Sequence, residues 1–286
     1  MTDAEIKSEL MRLYGDAARE FGFPPGVLVR DFERHRHTLR LIRRFAPLTT
    51  HRRVLDIAAG WAIPSRLLRK EGYEVQLTDS TAIGGLPVCE YNRKTFPLTL
   101  INDLERDALP FAENAFDLVL WLGTIEHLQN SPKRVLQWIH GILRPGGILL
   151  IDTPNILELR KRVMMLFGRS IMPHMKFIYD APRHSDHHFE YTKDDLEFVA
   201  GRSGFAVAYC EAVDTISGIT IKKRLKYKDR TELETQGAQM TQFVPGFDPL
   251  NLYSYLKLPF ALWVRMAPSL RDTLFLVGRK DAPRPP

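Results

Sequence analysis

Val54-Leu55-Asp56-Ile57-Ala58-Ala59-Gly60-Trp61-Ala62 is where the chain declares its architecture. Val54 to Ala58, apolar except for Asp56, reads as a buried strand. The very small residues that follow form a turn opening a helix, Pro64 to Lys70. Such a turn suits a ligand, because small side chains let the backbone approach closely and a helix N-terminus offers unpaired N–H groups. The next strand, Glu74 to Thr78, runs into Asp79, 19 residues after Gly60. That separation sets a carboxylate beside the first turn, where it can accept the two hydroxyl hydrogen bonds of a ribose.

The same alternation continues downstream. Leu98 to Asn102 and the strongly apolar Phe116 to Leu122 read as strands; a helix carrying Val135, Leu136 and Ile139 follows, and Pro145-Gly146-Gly147 stops it before a strand from Ile148 to Ile151. Strands separated by helices imply a mostly parallel sheet covered on both faces. The helix near Ala82 to Arg93 is the least regular, broken by Gly84, Gly85 and Pro87.

Upstream, Thr2 and Glu5 have capping-box spacing, and Ile6, Leu10, Leu13, Tyr14 and Ala17 recur at helical intervals until Phe23-Pro24-Pro25-Gly26. Leu39, Ile42 and Phe45 mark a second amphipathic helix before Pro47. Past Pro154-Asn155 come Leu157, Val163, Met164 and Phe167 at helical spacing, then an irregular stretch bearing Pro and His up to His188. Thr192 caps a helix from Lys193 to Arg202, Gly204 ends it, and Phe205 to Val213 reads as a strand. Asp272 to Arg279 supplies a last strand.

The hydrophobic content of 44% is ordinary for a globular chain, and no apolar run approaches the roughly 20 residues of a membrane span. The opening Met1-Thr2-Asp3-Ala4-Glu5 lacks the basic-then-apolar form of a secretory signal, and Cys89 and Cys210 make neither a disulfide framework nor a thiolate metal site. A cytoplasmic protein is the expectation. The net charge of +6 gathers in two stretches: 30–53, with Arg34, Arg36, Arg40, Arg43, Arg44 and Arg52; and Lys222-Lys223-Arg224-Leu225-Lys226-Tyr227-Lys228. Acids interrupt both, so solvated helix faces are expected, with room for weak contact with an anionic surface.

These residues resemble the class I S-adenosylmethionine-dependent methyltransferases, in particular the small-molecule group that includes the ubiquinone-biosynthesis O-methyltransferases. The resemblance covers about Arg53 to Phe205. It is carried by VLDIAAGWA at 54–62, TDS at 78–80, NDLERDALPF at 102–111, FDLVLWLGTIEHL at 116–128 and LRPGGILLIDTPN at 143–155, with HHFEYTKDDL at 187–196 and SGF at 203–205 in support. It implies an α/β Rossmann-like methyltransferase sheet whose last strand is antiparallel. The single domain divides into a helical cap (1–50), a donor-binding core (51–155), a lid (156–191), the end of the core (192–213 and 271–280) and an insertion (214–270).

Carried onto this chain, the resemblance places the methionine part of the donor against Ala58, Ala59 and Gly60, with Asp56 supporting the turn. Asp79 holds the ribose, Asp103 and the Leu104 N–H meet the adenine, and Trp121 and Leu122 line the sulfonium end. Where the family has glycines this chain has Ala58 and Ala62. Alanine is expected there only if neither position needs a positive φ.

The reaction implied is methyl transfer to a small-molecule or glycan-type acceptor, at a hydroxyl oxygen. Such a displacement needs alignment and a proton acceptor more than covalent help. His127, just past the fourth strand, is the expected base, with His187 or His188 in reserve. A structural histidine is the plainer alternative for His127, as a helix cap is for Asp79 and a turn residue for Asp103. No metal is expected: His184, Asp186, His187 and His188 lie on an extended segment, where adjacent side chains point apart. A nicotinamide-dependent oxidoreductase would share the strand, turn and distal acid, but its glycine spacing is missing. A methyltransferase-fold binding protein without turnover is the non-enzymatic alternative. Nucleic acid is not the expected partner, since the segment from Leu122 to His127 lacks the Asn/Asp-Pro-Pro-aromatic sequence of amino-methylating enzymes.

Overall fold

The computed structural model describes residues 3–21, 32–84, 87–172, 187–215 and 262–281. The elements are α1 (Asp3–Phe21), α2 (Phe32–Phe45), β1 (Arg53–Asp56), α3 (Ile63–Glu71), β2 (Glu74–Ser80), α4 (Pro87–Arg93), β3 (Leu98–Ile101), β4 (Phe116–Leu122), α5 (Lys133–Ile142), β5 (Leu143–Pro154), α6 (Leu159–Leu166), α7 (Lys193–Arg202), β6 (Phe205–Val213) and β7 (Thr273–Lys280). The strands form one seven-stranded sheet in the order β3-β2-β1-β4-β5-β7-β6. Every pairing from β3 to β5 is parallel, and β7 runs antiparallel to both its neighbours. The order reverses between β1 and β4, so the crevice beyond their carboxyl ends is the expected ligand site.

Alternation along each strand divides the core into two layers. Val54, Leu77, Leu118, Leu120, Ile148 and Leu150 face one side, where α1, α2 and α3 contribute Ile6, Leu10, Leu39, Ile42, Leu67 and Leu68. Leu55, Val119, Trp121, Leu149 and Ile151 face the other, against Val135, Leu136 and Ile139 of α5 and Leu196 of α7. Each fully buried aliphatic side chain contributes about 1.5–3 kcal/mol, so burial on both faces holds this sheet together.

Two local expectations change. Pro145-Gly146-Gly147 does not separate helix from strand: β5 begins at Leu143, which pairs with Phe116, and the register shifts before Leu118 meets Ile148. Gly146 takes φ +76°, and the three residues make an irregularity within the strand. The helix near Ala82 to Arg93 is instead a short 3-10 turn, Thr81–Ile83, and α4. By contrast, Thr192 caps α7 in a full capping box with Asp195, its hydroxyl accepting from Asp195 N–H at 3.1 Å.

The basic stretch at 30–53 is largely a structural lacing. Arg34 pairs with Asp152, Arg36 with Glu33, Arg43 with Glu71, Arg52 with Glu74, and Arg53 shares Asp117 with Arg144. Burial pushes the Asp117 carboxyl up, but hydrogen bonds from Arg53, Arg52 and Arg144 outweigh it and hold it well below the ordinary carboxylate range. The second basic stretch and the centre of the lid, with His184 and Asp186, lie outside the described residues, as does 216–261 of the insertion. No helix among the described residues is long and apolar enough to cross a membrane.

Candidate active site

Beyond β1 the chain turns through Ala58, Ala59 and Gly60, all partly open, before α3 begins. The neighbouring strand β2 holds this turn. Gly60 N–H donates to Asp79 Oδ2 at 2.9 Å, and Ala59 N–H donates to the Thr78 carbonyl at 3.0 Å. Asp56 lies beneath, almost fully buried, its Oδ2 accepting from the Ser65 hydroxyl at 2.6 Å and so tying β1 to the first turn of α3. Burial, with Asp79 and Asp152 nearby, pushes the Asp56 carboxyl up to about 7 against the opposing Ser65 hydrogen bond.

The turn departs from expectation in its backbone. Ala58 has φ +55° and Ala62 φ +50°, so both alanines occupy the left-handed region that they were expected to avoid. The left-handed region costs an L-residue roughly 1–2 kcal/mol, and the sheet, the Asp79 bond and α3 impose it here. Gly60, at φ +51°, would meet nothing within 4 Å if it carried a Cβ, so open space lies over the middle of the turn. The residues therefore fit a ligand laid along main chain.

Asp79 is buried, and burial raises its carboxyl while the N–H groups of Ser80 and Gly60 oppose that rise. Each oxygen already accepts one backbone hydrogen bond and keeps acceptor capacity for a ligand hydroxyl. At the exit of β3, Asp103 Oδ1 accepts from Glu105 N–H at 2.9 Å and Leu104 packs against the second core layer. Asp103 thus shapes its own turn at the place expected for the adenine. Trp121 is different: strand alternation sends its ring wholly into the second core layer, while Leu122 is only half-buried. Its indole N–H is buried with no hydrogen-bond partner among the described residues.

Past β4 a second group assembles. The short 3-10 turn Ile125–His127 buries Glu126 and leaves His127 facing solvent. The Glu126 carbonyl accepts from His188 N–H at 2.8 Å and Phe189 N–H at 3.3 Å, drawing the segment 187–190 against the end of β4. The rings of His127 and His187 meet edge to face with centroids 5.0 Å apart. His187 Nδ1 lies 2.9 Å from Glu190 Oε1, and Lys161 of α6 pairs with the other Glu190 oxygen. Burial pushes the Glu126 carboxyl up to about 7, and the Glu190 bond raises His187. His188 joins this group through its backbone.

Arg34, Asp152 and Thr153 complete this end of the sheet. Arg34 grips buried Asp152 through two hydrogen bonds of 2.8 and 2.5 Å, and Thr153 donates to Glu126 Oε2 at 3.0 Å. A Cβ on Gly123, at φ +57°, would collide with the Arg34 guanidinium. Nothing in the sequence distinguishes Arg34 from the arginines around it, because its partner is 118 residues away. Asp152 and Glu126 carry a fainter signal, as acids at the ends of apolar strands.

A family description for methyltransferase domains matches residues 31–209. Among curated proteins the chain is similar to a ubiquinone biosynthesis O-methyltransferase of Ruegeria pomeroyi, 33% identical over 104 residues, covering 36% of this chain and 41% of that protein. It is also similar to human glycine N-methyltransferase, 31% identical over 120 residues with the same two shares of 36% and 41%. The matched regions thus span about two fifths of either relative. A solved S-adenosylmethionine-dependent methyltransferase from Archaeoglobus fulgidus shares the fold at a TM-score of 0.51 and 15% identity, covering 86% of this chain and 94% of that one. The methyltransferase solved with the Trm112 activator of Haloferax volcanii reaches 0.55 at 18% identity, covering 94% and 96%.

Proposed function

This chain belongs to the methyltransferase-domain family, and from that premise we propose that it moves a methyl group onto a hydroxyl oxygen of a small-molecule or glycan-type acceptor. Its methyl donor is S-adenosylmethionine, as in class I methyltransferases generally. When bound, the donor supplies an electrophilic methyl on a sulfonium that leaves as neutral S-adenosylhomocysteine. Ala58, Ala59 and Gly60 offer the main-chain surface for its methionine part, Asp79 the ribose acceptor, Asp103 and Leu104 the adenine end, and Leu122 the edge facing the transfer. Asp56 acts from beneath by fixing the turn.

The observation that carries the oxygen reading is the set of proton acceptors at the neighbouring strand exit: His127 and His187 beside buried Glu126. A hydroxyl must lose its proton as its oxygen attacks, whereas a neutral amine can attack first and release a proton afterwards. In the step proposed, the acceptor oxygen attacks the methyl carbon, the carbon–sulfur bond breaks with its electron pair kept by sulfur, and the hydroxyl proton passes to His127. His187, whose ring lies 5.0 Å from that of His127, is the reserve base in this reading, with His188, held through its backbone, behind it. A nitrogen acceptor is the second reading, favoured by the similarity to a glycine N-methyltransferase.

Calorimetry with S-adenosylhomocysteine, S-adenosylmethionine and NADH tests the premise, with one-to-one binding of the first two and none of the third expected. Transfer of a labelled methyl group into a metabolite extract, followed by hydrolysis of the product, separates ether from amine. A labelled amine as the sole product overturns the oxygen reading.

A further inference from the structure

We propose that Glu126, His127 and His187 form a binding site for a first-row divalent transition-metal ion. One ligand-capable atom from each lies within 4.8 Å of the other two. Two imidazoles and one carboxylate make a donor set suited to zinc, cobalt, iron or nickel, with positions left over for an exogenous oxygen. Bonds of about 2.1 Å in a tetrahedral arrangement put ligand atoms about 3.4 Å apart, so the group needs to close by roughly an ångström. His127 is exposed on its turn.

What separates this from a chance meeting of polar groups is the layer behind it. Thr153 donates to Glu126 Oε2 at 3.0 Å, which orients the carboxylate. Glu190 holds His187 Nδ1 at 2.9 Å, which fixes the tautomer and leaves Nε2 as the ligand nitrogen. Glu190 is anchored in turn by Lys161, whose Nζ also donates to the Asn155 carbonyl at 3.1 Å. A histidine whose second nitrogen binds a carboxylate is the usual outer arrangement of a metal-ligating imidazole. The backbone prepares the same closure: His188 and Phe189 donate to the Glu126 carbonyl, and Ile156 N–H donates to the Tyr191 carbonyl at 3.1 Å. Two positive charges near the group are each paired, Arg34 with Asp152 and Lys161 with Glu190.

The site departs from the sequence expectation of no metal. That expectation weighed only the single segment bearing His184, Asp186, His187 and His188, and His188 joins the group through its backbone. The ligand set is assembled instead from two segments 60 residues apart. Resting on the methyltransferase proposal, the ion's role would be to bind the acceptor oxygen and acidify its hydroxyl, a task His127 performs directly when no ion is present.

The test is a titration of chelator-treated full-length protein with Co²⁺, followed by visible absorption and calorimetry. One equivalent should bind with the weak d–d bands of nitrogen and oxygen ligands, and Zn²⁺ should displace it. H127A and H187A should each weaken Co²⁺ binding at least about 10-fold, and E190Q, which alters no ligand, about 10- to 100-fold. H127A changes a solvent-facing side chain, so it remains informative if a buried variant fails to fold. Co²⁺ binding that is undiminished in both histidine variants, or absent from the wild type at millimolar concentration, overturns the proposal. Calorimetry with S-adenosylhomocysteine on the same preparations separates the two readings. Binding of that nucleoside without Co²⁺ sinks the metal site alone, whereas Co²⁺ binding without it sinks the methyltransferase premise and leaves the metal site standing.

Discussion

At the exits of β1 and β2 the site is almost entirely main chain: a turn of small residues, two of them alanines at positive φ, pinned by one carboxylate. At the exits of β4 and β5 it is almost entirely side chain, with Arg34, Glu126, His127, Asp152 and His187 arriving from four separate segments. On the proposed function, the contrast follows from the two tasks. A donor of constant shape can be held by backbone geometry, which one short segment carries intact. An acceptor specific to one enzyme is met by charged groups, and the low dielectric at a buried strand end makes each worth more only if partners arrive to neutralise it.

The sharpest way to break this comparison is to remove chemistry from the second end without touching the first. H127A should lower single-turnover methyl transfer at saturating donor by about 10²- to 10⁴-fold and leave S-adenosylhomocysteine affinity unchanged. A histidine that only packs would instead leave the rate within a fewfold of normal and move the thermal midpoint.

Removing Arg34 should act through stability. R34A leaves Asp152, only 1% exposed in its side chain, without its bidentate partner. A stranded buried charge costs about 3–5 kcal/mol, so urea unfolding should show a loss near the lower bound, since Arg34 itself is partly exposed. G123A should do the same more weakly, by pushing the guanidinium aside.

At the donor end, D79A should weaken S-adenosylhomocysteine binding by roughly 10- to 150-fold, the equivalent of losing charge-assisted hydrogen bonds of about 1.5–3 kcal/mol. Calorimetry of a folded variant with unchanged affinity would remove Asp79 from the site. D56N sharpens the comparison through pH. The Asp56 carboxyl is raised on folding, so the native state holds its proton more tightly than the unfolded chain, and stability falls as pH rises from about 4 through about 7. D56N abolishes that contribution, and its thermal midpoint should gain on the wild type across that window and level off above it.

The smallest effect is expected from A58G. Glycine relieves the positive φ but adds freedom to the unfolded chain, and the opposing effects should leave stability within about 1 kcal/mol. Loss of the methyl should tighten S-adenosylhomocysteine binding slightly. A weaker complex would show that the alanine methyl is itself a donor contact.

The turn proposed for the donor was legible as local structure because its determinants are local. A strand, a turn and a helix N-terminus follow one another between Val54 and Ala62, and Asp79 is fixed by the length of one helix and one strand. What was not legible there was conformational: alanine spells no left-handed backbone, and the resemblance that set Trp121 at the sulfonium end overlooked the strand alternation that buries it. At the acceptor end, Glu126-His127 could be noticed, and His187 and His188 named. Nothing local could say that His187 would lie against His127 while Glu190 and Lys161 held it.

The sequence alone determined the alternation of apolar strands and amphipathic helices, the parallel sheet with its small-residue turn and acid, and the capped α7, because each depends on residues within one or two turns of one another. Only the tertiary structure decided that Arg34, Arg43, Arg52 and Arg53 would be spent on acids of other elements, that Ala58 and Ala62 would be forced to positive φ, and that Glu126, His127 and His187 would converge. Those outcomes depend on pairings between residues on different elements, or on strain that the whole sheet imposes on a turn, and no local pattern of residue types encodes either.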